Sequence, residues 1–302
     1  MVPFVVYIAF GYIARETHMV KEDLLTQMNA AVFKCFFPIM LFNNFMNIDT
    51  NAGFQPLFVL ASIILTFLVT IISMLVLKKI PNDNSRKGVI VQAMFRGNSV
   101  LFAIPLMESV FGLAGAAAGA MLTAFIVPIY NVMAIVILEY YRGGRPTPMA
   151  LVKKVVTNPL IIGAFAGILF LFSGLHMPNM LNKPITAMAN MTTPISLFIL
   201  GGKLHFGTVK KDAKALITTV ALRLIIVPAL VMLVTLPLPL SEVQRFAMFA
   251  VFITPVAVSS YSMAANMGGD ADLAGELVTF TTVASLFTIF GWIMLLRTFG
   301  II

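Results

Sequence analysis

The sequence is poor in charge, cysteine and histidine. Of its 302 residues, 11% are charged, one is a cysteine (Cys35) and three are histidines. A single cysteine excludes an internal disulfide framework and any metal site built from several cysteines. The sequence also has no His-Glu-x-x-His motif, no acidic cluster and no paired catalytic residues. It therefore predicts neither an enzyme nor a bound metal or cofactor.

Apolar residues dominate instead. The hydrophobic fraction is 60% and the mean hydropathy is +0.98, which leaves too little polar surface to cover a soluble globule. The composition predicts an all-α integral membrane protein in contact with the lipid bilayer. The formal charge of +8 does not indicate a nucleic-acid partner, because the basic residues are scattered through short connections and form no stripe.

Ten apolar segments approach or reach the length that is needed to span a bilayer, about 20 residues. The predicted spans are 1–14, 23–46, 54–77, 88–110, 113–139, 159–174, 184–203, 214–235, 243–266 and 272–297. Lys and Arg concentrate in the connections after the first, third, fifth and seventh spans. Because such connections stay in the cytoplasm, both termini are predicted to lie outside.

Short matches between the two halves indicate a duplication. Pro-Ile-Met-Leu-Phe at 38–42 is matched by Pro-Ile-Ser-Leu-Phe at 194–198, and Phe-Ala-Ile-Pro ending at Pro105 by Phe-Ile-Thr-Pro ending at Pro255. Five spans per half is an odd number, so the two repeats must enter the membrane in opposite directions. The sequence thus predicts inverted repeats at 1–142 and 159–302, joined by a cytoplasmic linker at 143–158.

The fourth and ninth spans are the predicted site of function. Prolines that interrupt corresponding spans of a repeat are a sequence sign of a transporter binding site. Polar residues accompany both prolines: Arg96, Asn98, Ser99 and Glu108 near Pro105, and Thr254, Ser259 and Ser260 near Pro255. Two broken helices crossing there would offer N-terminal amides to an anion. The alternative is that each proline only kinks a continuous helix.

Other polar residues inside the spans are secondary candidates. Of the three basic ones, Lys34, Arg96 and Arg223, Arg96 is favoured because Asn98 accompanies it and a guanidinium suits a carboxylate. The alternative to ligand binding by Arg96 is a structural role, in which it donates to backbone carbonyls freed by the break. For Lys34 and Arg223 the alternative to a site role is that the side chain snorkels to the membrane surface or pairs with another residue. Asn43 follows Pro38 and Thr193 directly precedes Pro194, and both are expected to help line the site. Glu108 is either a buried proton carrier or a solvated residue at the outer helix end.

Several motifs together resemble the auxin efflux carrier family, which includes plant PIN proteins and bacterial malonate and malate permeases. They are Phe-Phe-Pro-Ile-Met-Leu-Phe (36–42), Arg-Gly-Asn-Ser-Val-Leu-Phe-Ala-Ile-Pro-Leu (96–106) and Pro-Val-Ala-Val-Ser-Ser-Tyr (255–261). The resemblance implies five plus five helices with the fourth and ninth broken and crossed. It implies a scaffold of helices one, two, six and seven, often dimeric, and a moving transport domain of helices three to five and eight to ten. It maps a substrate-contacting asparagine onto Asn98 and the crossover prolines onto Pro105 and Pro255.

From these observations we expect a secondary transporter for small organic anions, such as the mono- or dicarboxylates malonate and malate, in a bacterial cytoplasmic membrane. The alternative is a membrane sensor of the same fold that binds the anion without moving it. The resemblance is also compatible with a homodimer, and no cofactor is expected.

Overall fold

The computed structural model describes residues 2–47, 56–79, 83–142, 148–204 and 206–302, and within them the chain is helical, with one isolated β-bridge and no longer strand. Residues 143–147 of the predicted linker and His205 lie outside this part. The helices are α1 (Val2–Glu16), α2 (Glu22–Ala31), α3 (Phe37–Met46), α4 (Pro56–Lys78), α5 (Asn84–Phe95), α6 (Ile104–Tyr141), α7 (Pro148–Val156), α8 (Pro159–Phe172), α9 (Asn179–Lys203), α10 (Phe206–Ala221), α11 (Val227–Thr235), α12 (Glu242–Ile253), α13 (Ser259–Met267) and α14 (Ala271–Thr298).

Helix occupies most of the described part of each of the ten predicted segments, although not always as one uninterrupted element. Within the described residues, six helical stretches are long and apolar enough to cross a membrane. The number is seven if Met149–Val156 and Pro159–Phe172, bent by 65°, count as one span. The ten-span topology and its inverted repeats stay predictions.

Three π-helical turns accommodate prolines without interrupting the helices. The turns are Val32–Phe36, Ser99–Ala103 and Leu222–Ile226, and each ends two residues before a proline: Pro38, Pro105 and Pro228. A proline ring clashes with the carbonyl four residues earlier, and the wider π turn relieves that clash. The prediction that the fourth span breaks at Pro105 is therefore wrong. Pro105 lies within helix, and the interruption comes earlier, at residues 96–98.

The predicted boundary between the fourth and fifth spans is a kink inside α6. Gly112 there has φ 62° and ψ −146°, which is not a helical conformation. Glycine adopts a positive φ at no steric cost, so the chain can turn sharply at this residue. The helix α6 accordingly contains the end of the fourth predicted span and the whole of the fifth.

Two close helix pairs form one side of the molecule: α1 packs along α9, and α3 along α8. Glycines allow the backbones to approach. A Cβ on Gly163 of α8 would lie 2.6 Å from Pro38 Cα on α3, and a Cβ on Gly11 of α1 would overlap the Phe198 carbonyl of α9. Small residues at helix contacts are the usual means of close packing in membranes. These four helices coincide with the predicted spans one, two, six and seven.

The interrupted helices lie at the centre of the fold. Residues 88–99 of the α5 region and 246–256 of the α12 region are buried without a break. A helix that is buried on every side is surrounded by protein. Irregular backbone at membrane depth needs such an environment, because lipid cannot satisfy its hydrogen bonds.

Candidate anion-binding site

The two interruptions lie side by side and are joined by backbone hydrogen bonds. The first separates α5 from the π turn that begins at Ser99, and the second separates α12 from α13. Gly97 and Val256 form an antiparallel β-bridge. The Asn98 amide donates to the Pro255 carbonyl at 2.9 Å, and the Ala257 amide donates to the Arg96 carbonyl at 3.1 Å. Backbone groups of each interruption thus provide hydrogen-bond partners for backbone groups of the other.

Gly97 makes this close approach possible. A Cβ at this position would lie 2.6 Å from the Val251 carbonyl oxygen and would overlap the side-chain tips of Arg223 and Thr254. A larger residue would therefore push the two breaks apart. The glycine of the first interruption is therefore required for the two segments to lie in contact.

A cavity of about 70 Å³ lies next to the joined breaks. By a comparable measure one water needs about 10–15 Å³, so the space admits a small ligand. Its lining residues come from both interruptions, from the π turn Ser99–Ala103 and from α3, α6, α8, α9 and α13: Phe37, Met40, Leu41, Asn44, Arg96, Gly97, Asn98, Ser99, Val100, Leu101, Val127, Tyr130, Asn131, Leu160, Thr193, Ala257, Val258 and Ser259. Among the residues that the structure describes, this lining contains one basic residue and no Asp or Glu.

Arg96 supplies the positive charge of the cavity. Its side chain is 3% exposed. One nitrogen, Nη2, donates to Asn131 Oδ1 at 2.5 Å and to Ser259 Oγ at 2.9 Å, and Nη1 contacts Met263 Sδ. No carboxylate within the described residues pairs with it. A buried guanidinium without a counterion favours an anionic ligand.

Polar atoms on the cavity wall are left for a ligand or water to satisfy. Ser99 Oγ and Asn131 Nδ2 are buried and have no hydrogen-bond partner within the described residues. Leaving such an atom unsatisfied costs about 1–3 kcal/mol. Asn131 thus accepts from Arg96 with its oxygen and has a free N–H₂ to donate, which suits an anion held beside Arg96.

Two helix N-termini meet at the same cavity. The π turn that runs into α6 begins at Ser99, and α13 begins at Ser259. The first amides of a helix have no partner within it, and the helix dipole places partial positive charge there. Together with Arg96 they make this part of the cavity electropositive.

The predicted site residues divide into two groups. Arg96, Asn98, Ser99, Ser259 and Thr193 line the cavity. Three others, Thr254, Ser260 and Asn43, are buried but do not line it. The hydroxyl of Thr254 donates to the Val251 carbonyl at 2.9 Å, and Asn43 Oδ1 accepts from the Thr186 hydroxyl at 3.1 Å. The neighbouring Asn44, not Asn43, is the asparagine of α3 at the cavity.

The two crossover prolines and Glu108 also differ in position. Pro255 is buried within its interruption, and its carbonyl accepts from Asn98. Pro105 and Glu108 are exposed on α6 and do not line the cavity. Burial was the reason to expect a proton carrier at Glu108, so the structure removes the basis for that role.

Two residues of the site, Asn131 and Tyr130, are not identified by the sequence alone. An uncharged polar residue within a span, such as Asn131, can bond another segment or line a cavity, and in the structure Asn131 accepts from Arg96 and lines the cavity. Tyr130 gave no signal beyond its place in Pro-Ile-Tyr-Asn (128–131), since aromatic residues are common in membrane spans. Only the packing of α6 against the interruption at 96–98 brings both residues to the cavity.

Residues 1–293 match the sequence model of the membrane transport protein family, the family of the auxin efflux carriers. The chain belongs to this family. The match covers almost the whole chain and is to a transport family, not an enzymatic one. The chain is therefore a membrane transporter of the multi-pass type. No curated protein matches its sequence.

Proposed function

We propose that this carrier is a secondary transporter that moves small organic anions across the cytoplasmic membrane. One observation carries the proposal: in the described part of the chain, the cavity beside the joined breaks is lined by a buried arginine and by no carboxylate. A site of this charge attracts anions and repels cations.

The ligand carboxylate would lie between Arg96 and the polar atoms that now lack partners. Arg96 Nη1 makes no hydrogen bond to an oxygen within the described residues, and Asn131 Nδ2 and Ser99 Oγ are available. Asn98 and Ser259 lie on the same part of the wall. Hydrogen bonds between a charged group and such donors contribute about 1.5–3 kcal/mol each.

The part of the lining that comes from the paired helices is largely apolar. Phe37, Met40 and Leu41 of α3 and Leu160 of α8 contribute to it, with Asn44 and Thr193 as its polar members. A lining of this kind would suit the binding of mono- or dicarboxylates with a short carbon chain, such as malonate or malate. Asn44 and Thr193 would bind the end of the ligand that lies away from Arg96.

Transport would follow from movement of one group of helices against the other. In the proposed architecture α1, α2–α3, α8 and α9 are the scaffold and the remaining spans carry the crossing. The two sets would be inverted five-span repeats, with both termini outside and two copies forming a dimer through the scaffold. The cavity lies between the groups, so that a relative shift would expose it to each side in turn. The membrane potential, worth about 2.3 kcal/mol per charge per 100 mV, would suffice for export of an anion, whereas uptake would need coupling to protons or sodium ions.

Uptake of radiolabelled malonate and malate into proteoliposomes tests the proposal. We expect flux with the native protein, a loss of flux with Arg96→Gln, and native flux with the matched control Arg297→Gln on the exposed end of α14. Binding without flux in the native protein would favour the sensor. Native flux in Arg96→Gln would remove the assigned site.

A further inference from the structure

The crossing leaves three backbone carbonyls without their usual helical partners. In an α-helix a carbonyl accepts from the amide four residues later. Val251 lacks that partner because residue 255 is a proline and has no N–H, and its carbonyl also accepts from the Thr254 hydroxyl at 2.9 Å. Met94 lacks it because the Asn98 amide donates across the crossing to Pro255, and Thr254 lacks it because the helix stops there. Unsatisfied carbonyls at membrane depth cost several kcal/mol each.

Arg223 donates to all three of these carbonyls. Its Nη1 donates to the Met94 carbonyl at 2.7 Å, on the α5 side. On the α12 side, Nη2 donates to the carbonyls of Val251 (3.3 Å) and Thr254 (3.1 Å), and Nε to Thr254 (3.3 Å). The side chain has no exposed surface and does not line the cavity. It therefore does not snorkel toward the membrane surface, and no carboxylate within the described residues pairs with it.

We propose that Arg223 is a positioning residue that ties the two interrupted segments together and so sets the geometry of the anion site. It acts from behind Gly97, since a Cβ there would meet its guanidinium. By fixing Met94 on one segment and Thr254 on the other, it fixes Arg96, Asn98 and Ser259, which follow them in the chain. The planar guanidinium is needed because its donors point in several fixed directions, whereas a lysine ammonium donates from a single point.

The π turn Leu222–Ile226 presents Arg223 to the crossing and carries a natural reporter. Trp292 of α14, the one tryptophan in the sequence, donates its Nε1–H to the Leu224 carbonyl at 2.9 Å. Its fluorescence can be excited apart from that of the tyrosines. A shift of this π turn would change the environment of Trp292 and hence its emission.

The test compares Arg223→Lys, which keeps the charge, with Arg297→Lys as a control on the exposed end of α14. We expect Arg223→Lys to weaken malonate binding by about tenfold or more. We also expect it to lower the apparent Tm by about 5 °C or more, and to shift the Trp292 emission. The control should leave all three unchanged. Native affinity and Tm in Arg223→Lys would overturn the proposal, because a positive charge alone would then suffice.

Arg223→Gln provides a second arm if Arg223→Lys folds poorly, because its neutral amide removes the cost of burying a charge. This shorter side chain can donate to the carbonyls of one segment but cannot span both, so we expect a lower Tm, a shifted Trp292 emission and weaker malonate binding. Native values of all three in Arg223→Gln would contradict the proposed role of Arg223. The malonate arm rests on the proposed function, whereas Tm and emission do not. If the native protein fails to bind malonate, those two readouts still decide the role of Arg223.

Discussion

The hydroxyl of Ser262 on α13 donates a hydrogen bond of 2.7 Å to Asn29 Oδ1 on α2. Both side chains are buried, and they belong to the two helix groups that are proposed to move against each other. Ser259, which lines the cavity, lies one helical turn before Ser262 on α13. The hydrogen bond thus joins the helix groups directly beside the site.

Removing either partner of this hydrogen bond should destabilise the observed arrangement. We expect Ser262→Ala and Asn29→Ala each to cost about 1–3 kcal/mol, because each leaves a buried polar atom unsatisfied. The double variant should lose less stability than the sum of the two single variants, because the second change removes the polar atom that the first leaves without a partner. Thermal unfolding of the four proteins measures this, and strict additivity would show that the two side chains do not depend on each other.

Gly97→Ala should disrupt the crossing. Its Cβ would meet the Val251 carbonyl, Arg223 and Thr254, which are backbone or tied to backbone and cannot easily move. Overpacking of this kind costs about 1–3 kcal/mol. We expect a lower Tm and loss of malonate uptake.

Gly291→Ala on α14 is the matched control for Gly97→Ala. A Cβ at Gly291 would meet nothing within 4 Å, and alanine is favoured over glycine in a helix by about 1 kcal/mol. It should be neutral or slightly stabilising. Equal behaviour of the two alanine variants would mean that the breaks do not need their close approach.

The sequence located the helices of this carrier more accurately than its break points. Apolar length predicts where helix occurs, because both depend on bilayer thickness and backbone hydrogen bonding. The presence of a proline does not determine whether a helix is interrupted or continues through it. At Pro105 a π turn accommodates the proline and the helix continues, whereas the helix before Pro255 ends. The difference depends on Arg223, Gly97 and the opposite segment, which come from distant parts of the chain.

The sequence predicts the candidate site most completely where one segment supplies several residues, and less completely where a helix contributes a single residue. Arg96, Asn98 and Ser99 are consecutive or nearly so, and their cluster was visible in the sequence. Asn44 could not be distinguished from Asn43, since the rotation of α3 decides which of the two faces the cavity. That rotation is set by packing against Gly163 of α8, which no local pattern reveals.

Asn98→Ala should weaken anion binding while leaving the fold intact. Asn98 contributes its backbone amide to the crossing, which alanine retains, and its side chain to the cavity. Loss of one hydrogen bond to a charged ligand, about 1.5–3 kcal/mol, corresponds to a fall in malonate affinity of about tenfold to a hundredfold. Asn179→Ala, at the exposed start of α9, is the control. A thermal-shift titration with malonate measures both, and equal affinities would remove Asn98 from the site.

The predicted orientation can be tested with single cysteines in a Cys35→Ser background. Lys79→Cys follows α4, and Leu175→Cys lies between α8 and α9; both positions are exposed. Because Lys and Arg cluster after the third span and not after the sixth, Lys79→Cys should face the cytoplasm and Leu175→Cys the outside. A membrane-impermeant maleimide added to intact cells should label only Leu175→Cys, and both after lysis. The reverse pattern would place the termini in the cytoplasm, and labelling of both or neither in intact cells would contradict the ten-span topology on which the inverted repeat depends.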